Sequence, residues 1–335
     1  MSMKFGVIGV GTAGAWYADI LKKTADVELA AALRSRGGDT AAIEKSWGVP
    51  CFDNLETFLG TGLNAAIIAT PSGQHFQQAQ ALIREGVHVL VEKPICLEVE
   101  AAETLVAAAK RHDVRLGVTF QRRADPCYRA IKETITSGAF GEPTLLSITM
   151  PYFRTPAYYD SAPWRGTYAL DGGGVLMNQG VHLADLAVWL FGTVKRVSAF
   201  AATRSHDIEV EDTLSAALEF HSGALGTISG TTASPPGVSH SVDICGTLGS
   251  LRLAGDTLVR WDVPGVPQPE GGVSDGAASD PKATSTENHA RIVEDFAAAV
   301  RHRRDPLVTG EDALESLGLV KAIYRAASEG HVIEL

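Results

Sequence analysis

The sequence predicts two domains of different class: an N-terminal α/β domain on a parallel sheet, then an α+β domain whose sheet is antiparallel or mixed. Three observations predict this. From Lys4 to about Gln121, short apolar β runs alternate with helical periods, the pattern of strands covered on both faces. Beyond that stretch the β runs cluster with only short turns between them. At 335 residues the chain is also long enough for about two domains.

In order, strands are expected at 4–8, 27–33, 65–69, 87–91 and 115–119, with helices near 13–24, 39–47, 74–85 and 99–111. A helix at 123–138 opens the second domain, followed by a strand at 143–150, an irregular aromatic stretch at 151–170 and a helix at 174–191. The second sheet is expected from 194–203, 212–220, 224–232, 239–246, 250–254 and 257–261. Residues 262–285, rich in Pro, Gly, Ser and Asp, read as a surface loop, and helices at 288–302 and 310–329 close the chain. These elements place one domain over 1–122 and the other over 123–335.

Composition removes several function classes. The 29 basic and 39 acidic residues leave a net charge of −10, which argues against nucleic acid or an anionic membrane as a bulk partner. No apolar run approaches the roughly 18 residues that a membrane span needs. The N-terminus has the pattern of a buried strand rather than of a secretory leader. Cys51, Cys96, Cys127 and Cys245 are scattered without metal-ligand spacing, as in reduced cytoplasmic proteins, and no metal site is expected.

The first strand runs into Gly9-Val10-Gly11-Thr12-Ala13-Gly14 and then a helix. This is G-x-G-x-x-G in the strand–turn–helix setting that makes it a dinucleotide fingerprint. Gly9 allows the tight turn, Gly11 lets a pyrophosphate approach the backbone, and Gly14 lets helix and strand pack closely. Thr12 and Ala13 open the helix whose N-terminus faces the phosphates.

After the second strand, an acid that binds both ribose hydroxyls is the mark of NAD. Here the stretch is Leu33-Arg34-Ser35-Arg36, without an acid. Arg34, Ser35 and Arg36 put two cations and a hydroxyl where NADP carries its 2′-phosphate, each charge-assisted bond contributing roughly 1.5–3 kcal/mol. The alternative is a basic loop solvated at the surface. NADP(H) is therefore the expected cofactor, with NAD(H) possible.

Two further strand ends carry chemistry, because ligands of open α/β sheets bind at the carboxyl edge. One leads into Thr70-Pro71-Ser72-Gly73-Gln74-His75, the other into Glu92-Lys93-Pro94. Together with the glycine fingerprint, these resemble the Gfo/Idh/MocA family of oxidoreductases. The likeness continues through Gln121-Arg122-Arg123, Trp164-Arg165-Gly166-Thr167 and Gly172-Gly173-Gly174-Val175-Leu176-Met177-Asn178-Gln179-Gly180-Val181-His182, with Asp185 beyond. It covers essentially the whole chain.

The resemblance implies a Rossmann domain followed by an α+β domain with a large, mostly antiparallel open sheet that commonly mediates dimer or tetramer contacts. The apolar face of the strands in 194–254 is the expected interface. Thr70, Pro71, His75, Glu92, Lys93 and Pro94 correspond to cofactor-binding positions. Lys93 matches the catalytic lysine, and the Lys93–Pro94 peptide is a candidate for the cis form. His182 matches the histidine of a D-x-x-x-H motif.

The residues themselves fit these roles. Positions 178, 182, 185 and 189 are spaced by four, three and four, which puts Asn178, His182, Asp185 and Trp189 on one helical face. Histidine has an unperturbed pKa of about 6.5, so His182 suits proton exchange with a hydroxyl. Lys93 suits charge stabilisation or proton relay, and which of the two touches the oxygen first stays open. A histidine held by Asp185 for structural reasons is the alternative. Asn178 replaces the family's aspartate, and an amide holds a hydroxyl but takes no proton. Arg123, Trp164, Arg165 and Tyr168 are candidates for the substrate mouth, or else ordinary packing and surface charge.

The expected activity is hydride transfer between NADP(H) and a hydroxyl or carbonyl carbon of a sugar, polyol or sugar derivative, by a cytoplasmic homodimer or homotetramer. A glycosidase that oxidises its substrate transiently is one alternative. A non-catalytic NADP-sensing regulator is the other.

Overall fold

The computed structural model describes residues 2–270 and 286–335, so most of the expected 262–285 loop lies outside the described residues. The described chain forms two compact units, 2–124 with 286–314, and 125–270 with 315–335.

In the first unit the chain runs β1 (Met3–Ile8), α1 (Thr12–Leu21), β2 (Val27–Leu33), α2 (Thr40–Trp47), β3 (Cys51–Phe52) and α3 (Leu55–Leu59). It continues through β4 (Ala65–Ile68), α4 (His75–Arg84), β5 (His88–Glu92), α5 (Val99–Arg111) and β6 (Leu116–Thr119). The strand order is β3-β2-β1-β4-β5-β6, and every neighbouring pair is parallel. All four residues of β4 are buried, as an apolar central strand covered on both faces requires. β3 and α3 escape sequence periodicity because two and five residues are too short to show a period.

The second unit contains α6 (Pro126–Thr136), β7 (Pro143–Pro151), α7 (Pro156–Asp160), a π-helical turn at Val175–Gly180 and α8 (Val181–Phe191). Then come β8 (Val194–Ala202), β9 (Thr213–Phe220), β10 (Leu225–Thr231), β11 (Ser241–Gly246), β12 (Ser250–Ala254) and β13 (Thr257–Asp262). The eight-stranded order is β13-β12-β11-β7-β10-β9-β8-β14, where β14 (Ile333–Glu334) joins from the C-terminus. Only the β7–β10 pair is parallel.

The faces of this sheet correct one expectation. The apolar residues Val197, Leu214, Ala216, Leu218, Ile228, Val242 and Ile244 are buried within the unit, under α8 and the π-helical turn, and are not available between subunits. The open face carries small polar residues, with Ser215–Ser229 and Ser147–Thr227 hydroxyl pairs across strands. Phe200, Leu145 and Leu225 project among them.

α9 (Glu287–His302) follows, and α10 (Gly310–Glu329) passes from the first unit to the second at Leu314/Glu315. The first domain crossing falls two residues beyond the expected 122/123, but the return of 286–314 to the first unit corrects the simple two-segment division. Its cause is the apolar stripe of α9. Phe296 packs edge-on to Phe5 at 6.4 Å, beside Gly117, where a Cβ would stand only 2.9 Å from the Phe296 ring. Among the described residues no helix is long and apolar enough to cross a membrane, and no cluster of His, Cys, Asp or Glu is placed to hold a metal ion.

Candidate active site

In the first unit, Ile8 pairs in register with Ile68, and Ile68 with Val91, so the loops leaving β1, β4 and β5 start side by side. This is the point where strand order reverses, the ligand crevice of an open parallel sheet. Gly9 has φ +102°, and a Cβ there would meet the Ala69 carbonyl oxygen at 2.5 Å. At Gly14 a Cβ would stand 1.9 Å from Gly9 O, whereas at Gly11 it would meet nothing within 4 Å. α1 begins without a side-chain cap and without an acid in its first turn, while Asp39 caps α2 and Asn54 caps α3. The exposed Gly11 and Thr12 and the half-buried Ala13 therefore present free helix-terminal amides, which fit a dinucleotide's pyrophosphate.

The β4 and β5 loops are tied together by His75. Its ring is fully buried, with Nδ1 2.8 Å from Pro94 O and Nε2 2.9 Å from Thr70 O. Burial holds its pKa below the ordinary histidine range against the opposing pull of the two carbonyls. The neutral ring carries one N–H, so one of these carbonyls accepts a hydrogen bond, and both contacts seat the imidazole between the two loops. The Lys93–Pro94 peptide is cis, as the resemblance implied. Thr70 donates its hydroxyl to Gln78 at 2.7 Å, and Pro71 is half-buried beside it. Glu92 accepts the Tyr17 hydroxyl and the Lys93 amide, the latter at 3.1 Å. Burial, then the Glu92 charge, keeps the Tyr17 phenol protonated. Lys93 follows, half-buried at the carboxyl end of β5.

Beyond β2, Arg34 donates through Nη1 to Asp39 O and lies over Gly38, where a Cβ would meet its Nε at 2.0 Å. The buried Nε of Arg34 has no acceptor among the described residues. Ser35 and Arg36 are exposed. Arg123 is placed inside the first unit and not at its surface, paired through Nη1 with Asp312 Oδ1 at 2.8 Å. Burial alone would raise the Asp312 pKa, but Arg123 and the Thr309 N–H and hydroxyl hold it below the usual carboxylate range.

In the second unit, Asn178, Gln179 and His182 are half-buried while their helix neighbours Val181, Leu183 and Ala184 are buried. The single α-helix expected over 174–191 instead opens with the π-helical turn, so Asn178 precedes the α-helical spacing of His182, Asp185 and Trp189. Asn178 donates its amide to Asp171 Oδ1 at 2.5 Å and accepts from Gln179 Nε2 at 2.9 Å. A carboxylate therefore stands beside this amide. Asp185 is buried and accepts the Ser316 hydroxyl at 2.7 Å, deeper than a substrate-lining position.

Gln179 also bonds Arg154 Nη2 at 2.7 Å and the Tyr158 hydroxyl at 3.2 Å. Arg165 stacks on Tyr158 and Trp164, at 4.2 and 4.5 Å from the ring centroids, and has no carboxylate partner among the described residues. Tyr168 is 61% exposed, held by its backbone N–H on Glu209. Sequence reasoning missed Asp171, Gln179, Arg154 and Tyr158. The aromatic run at 151–170 was the one signal for Arg154 and Tyr158, and nothing in it says which ring meets which arginine; Asp171 and Gln179 lie beyond it.

Residues 3–120 match the family model for oxidoreductases with an NAD-binding Rossmann fold, and residues 128–252 match the GFO/IDH/MocA C-terminal domain. The WlbA dehydrogenase of Bordetella pertussis, solved with NADH and UDP-GlcNAcA, is 31% identical over 100% of this chain and 99% of that one, with a TM-score of 0.90. An inositol 2-dehydrogenase of Rhizobium meliloti is 26% identical, with all of both chains covered. A D-xylose 1-dehydrogenase (NADP(+)) of Haloferax volcanii is 28% identical over 99% of this chain and 100% of that protein. With its strand order, glycine turn and both domain models in agreement, the chain belongs to the Gfo/Idh/MocA family and is a nicotinamide-dependent oxidoreductase.

Proposed function

We propose that this protein transfers a hydride between a nicotinamide cofactor, NADP(H) in preference to NAD(H), and a hydroxyl-bearing carbon of a sugar, polyol or sugar derivative. The observation that carries this reading is Lys93 at the end of β5, one strand over from Thr70 and two from the Gly9 turn. A bound nicotinamide supplies the two-electron acceptor or donor. Gly11, Thr12 and Ala13 hold its pyrophosphate, and the unpaired Arg34 Nε with Ser35 and Arg36 supports a 2′-phosphate.

The Lys93 ammonium stabilises the alkoxide that develops as hydride leaves, and the His182 imidazole takes or returns the hydroxyl proton. Asn178, braced by Asp171, holds a substrate hydroxyl, and Arg165 on its aromatic shelf suits an acidic sugar derivative. The structure with UDP-GlcNAcA at 31% identity supports a nucleotide-sugar acid as one substrate class to test. Four free thiols agree with work in the cytoplasm.

The test is a screen of sugars, polyols and nucleotide sugars with NADP⁺ and NAD⁺, and of their keto forms with NADPH, read by absorbance at about 340 nm. Turnover with at least one is expected. A cofactor that stays bound through purification, with glycoside cleavage and no net absorbance change, would replace dehydrogenase activity by transient oxidation.

A further inference from the structure

Glu211 lies just before β9 and is buried, yet its chemistry is spent on a segment 37 residues upstream. Its Oε2 accepts the Gly174 N–H at 2.9 Å, its backbone oxygen accepts the Val175 N–H at 3.0 Å, and its Oε1 accepts the Leu176 N–H at 3.0 Å. The Tyr324 hydroxyl donates to the same Oε1 at 2.8 Å and accepts the Met177 N–H at 3.1 Å. Four consecutive amides, 174 to 177, are therefore satisfied by two residues. These are the orphan donors at the start of the helix that runs through the π-helical turn into α8. Asn178 is the first whose N–H turns back into the helix, onto Gly174 O at 3.0 Å.

The contact also explains the glycines before the helix. A Cβ at Gly174 would stand 1.7 Å from Glu211 O, and one at Gly173 would stand 2.3 Å from the Tyr324 hydroxyl. Any other residue would push the clamp off. A carboxylate at a helix N-terminus is also favoured by the helix dipole. Burial raises the Glu211 pKa while its amide bonds and Tyr324 oppose the rise. Burial first, and then Glu211, raises that of Tyr324 and keeps its hydroxyl a donor.

Each residue of helical register turns a side chain by about 100°. Where the first turn is pinned therefore decides which side chains of 178–182 reach the half-buried strip. We propose that Glu211 and Tyr324 are positioning residues for the oxidoreductase reaction, setting the register of the helix that presents Asn178 and His182. This rests on the proton-transfer role proposed for His182.

The test compares Tyr324→Phe, Glu211→Gln and His182→Ala in the full chain. Tyr324→Phe removes one hydroxyl, and Glu211→Gln turns one acceptor into a donor aimed at amide donors. Each is expected to lower kcat between about ten- and a hundredfold, with cofactor affinity unchanged and the neutral-pH limb of the kcat profile displaced. Glu211→Gln should be the more severe. Variants that merely melt earlier, with wild-type kcat, KM and pH profile while folded, overturn the proposal if His182→Ala has lost turnover. Normal turnover in His182→Ala would instead overturn the role of His182 and this proposal with it. Hydrogen exchange in the wild-type protein gives a check that needs no variant to fold: amides 174–177 should exchange as slowly as those of β9, and rapid exchange there overturns the clamp.

Discussion

His75 Nδ1 lies 2.8 Å from the carbonyl oxygen of Pro94, the residue after Lys93. With Nε2 on Thr70 O, the imidazole fastens the β4 and β5 loops at the edge of the parallel sheet. A histidine that reads as a cofactor ligand in sequence is thus a brace behind the cofactor-binding edge.

That brace has a pH signature. Burial lowers the folded-state pKa of His75, so its contribution to stability is present above the unfolded value of about 6.5 and is lost as pH falls below it. His75→Gln keeps a polar side chain but no titration. Denaturant unfolding at about pH 7.5 should show a loss of roughly 1–3 kcal/mol, from a buried carbonyl left without its partner. Wild type should then lose more stability than the variant on going to about pH 5.5. Equal losses in the two proteins would show that His75 does not titrate in this way.

Cofactor preference follows from 34–36. NADP(H) should bind at least about tenfold tighter than NAD(H), the worth of roughly one charge-assisted contact. Arg34→Asp should reverse the order. Because Arg34 also holds its own loop through Asp39 O, Arg36→Asp is the gentler control and should narrow the gap without disturbing the fold. Calorimetry that finds equal affinities, or tighter NAD(H), rejects the 2′-phosphate assignment.

For catalysis, Lys93→Met and His182→Ala should each lower kcat by about 10²–10⁴-fold with cofactor affinity nearly intact. Their double mutant should lose much less than the product of the single effects if both serve one proton transfer, as proposed. Asn178→Ala should chiefly raise KM. His182→Ala should also remove the titration near neutral pH from the kcat profile. Near-normal turnover with an unchanged profile would leave Lys93 as the sole proton carrier.

Assembly should use the open face of the second sheet, where Phe200 is 79% exposed among Ser and Thr side chains. Light scattering is expected to show a dimer or tetramer of the 35.4 kDa chain, and Phe200→Glu should weaken it. A particle of single-chain mass at micromolar concentration contradicts this.

The Rossmann half was legible because its signals are local. Alternating apolar runs define strands and helices, and the steric demands at Gly9 and Gly14 are met within a few residues of chain or by the adjacent strand end. Lys93 was legible from its place after a strand, since strand ends of a parallel sheet converge whatever the loops contain. The second half was less so. Asn178, His182 and Asp185 form a spacing that predicts one helical face, but a π-helical turn under Asn178 and the burial of Asp185 against Ser316 change what that face presents.

By itself the sequence determined the two fold classes, the dinucleotide turn and most element boundaries, and family likeness made Lys93–Pro94 a candidate for the cis form that the structure has. Only the tertiary structure decided that α9 returns to the first sheet, that Arg123 pairs with Asp312, and that the apolar face of the second sheet is consumed within its own unit. It alone also brought Glu211 and Tyr324, 37 and 147 residues from their amide partners, to the head of the His182 helix. The reason is physical: backbone sterics and side-chain periodicity act over a few residues and are written in order along the chain. Hydrogen-bond partners of buried amides are chosen by proximity after folding, and no local pattern records them.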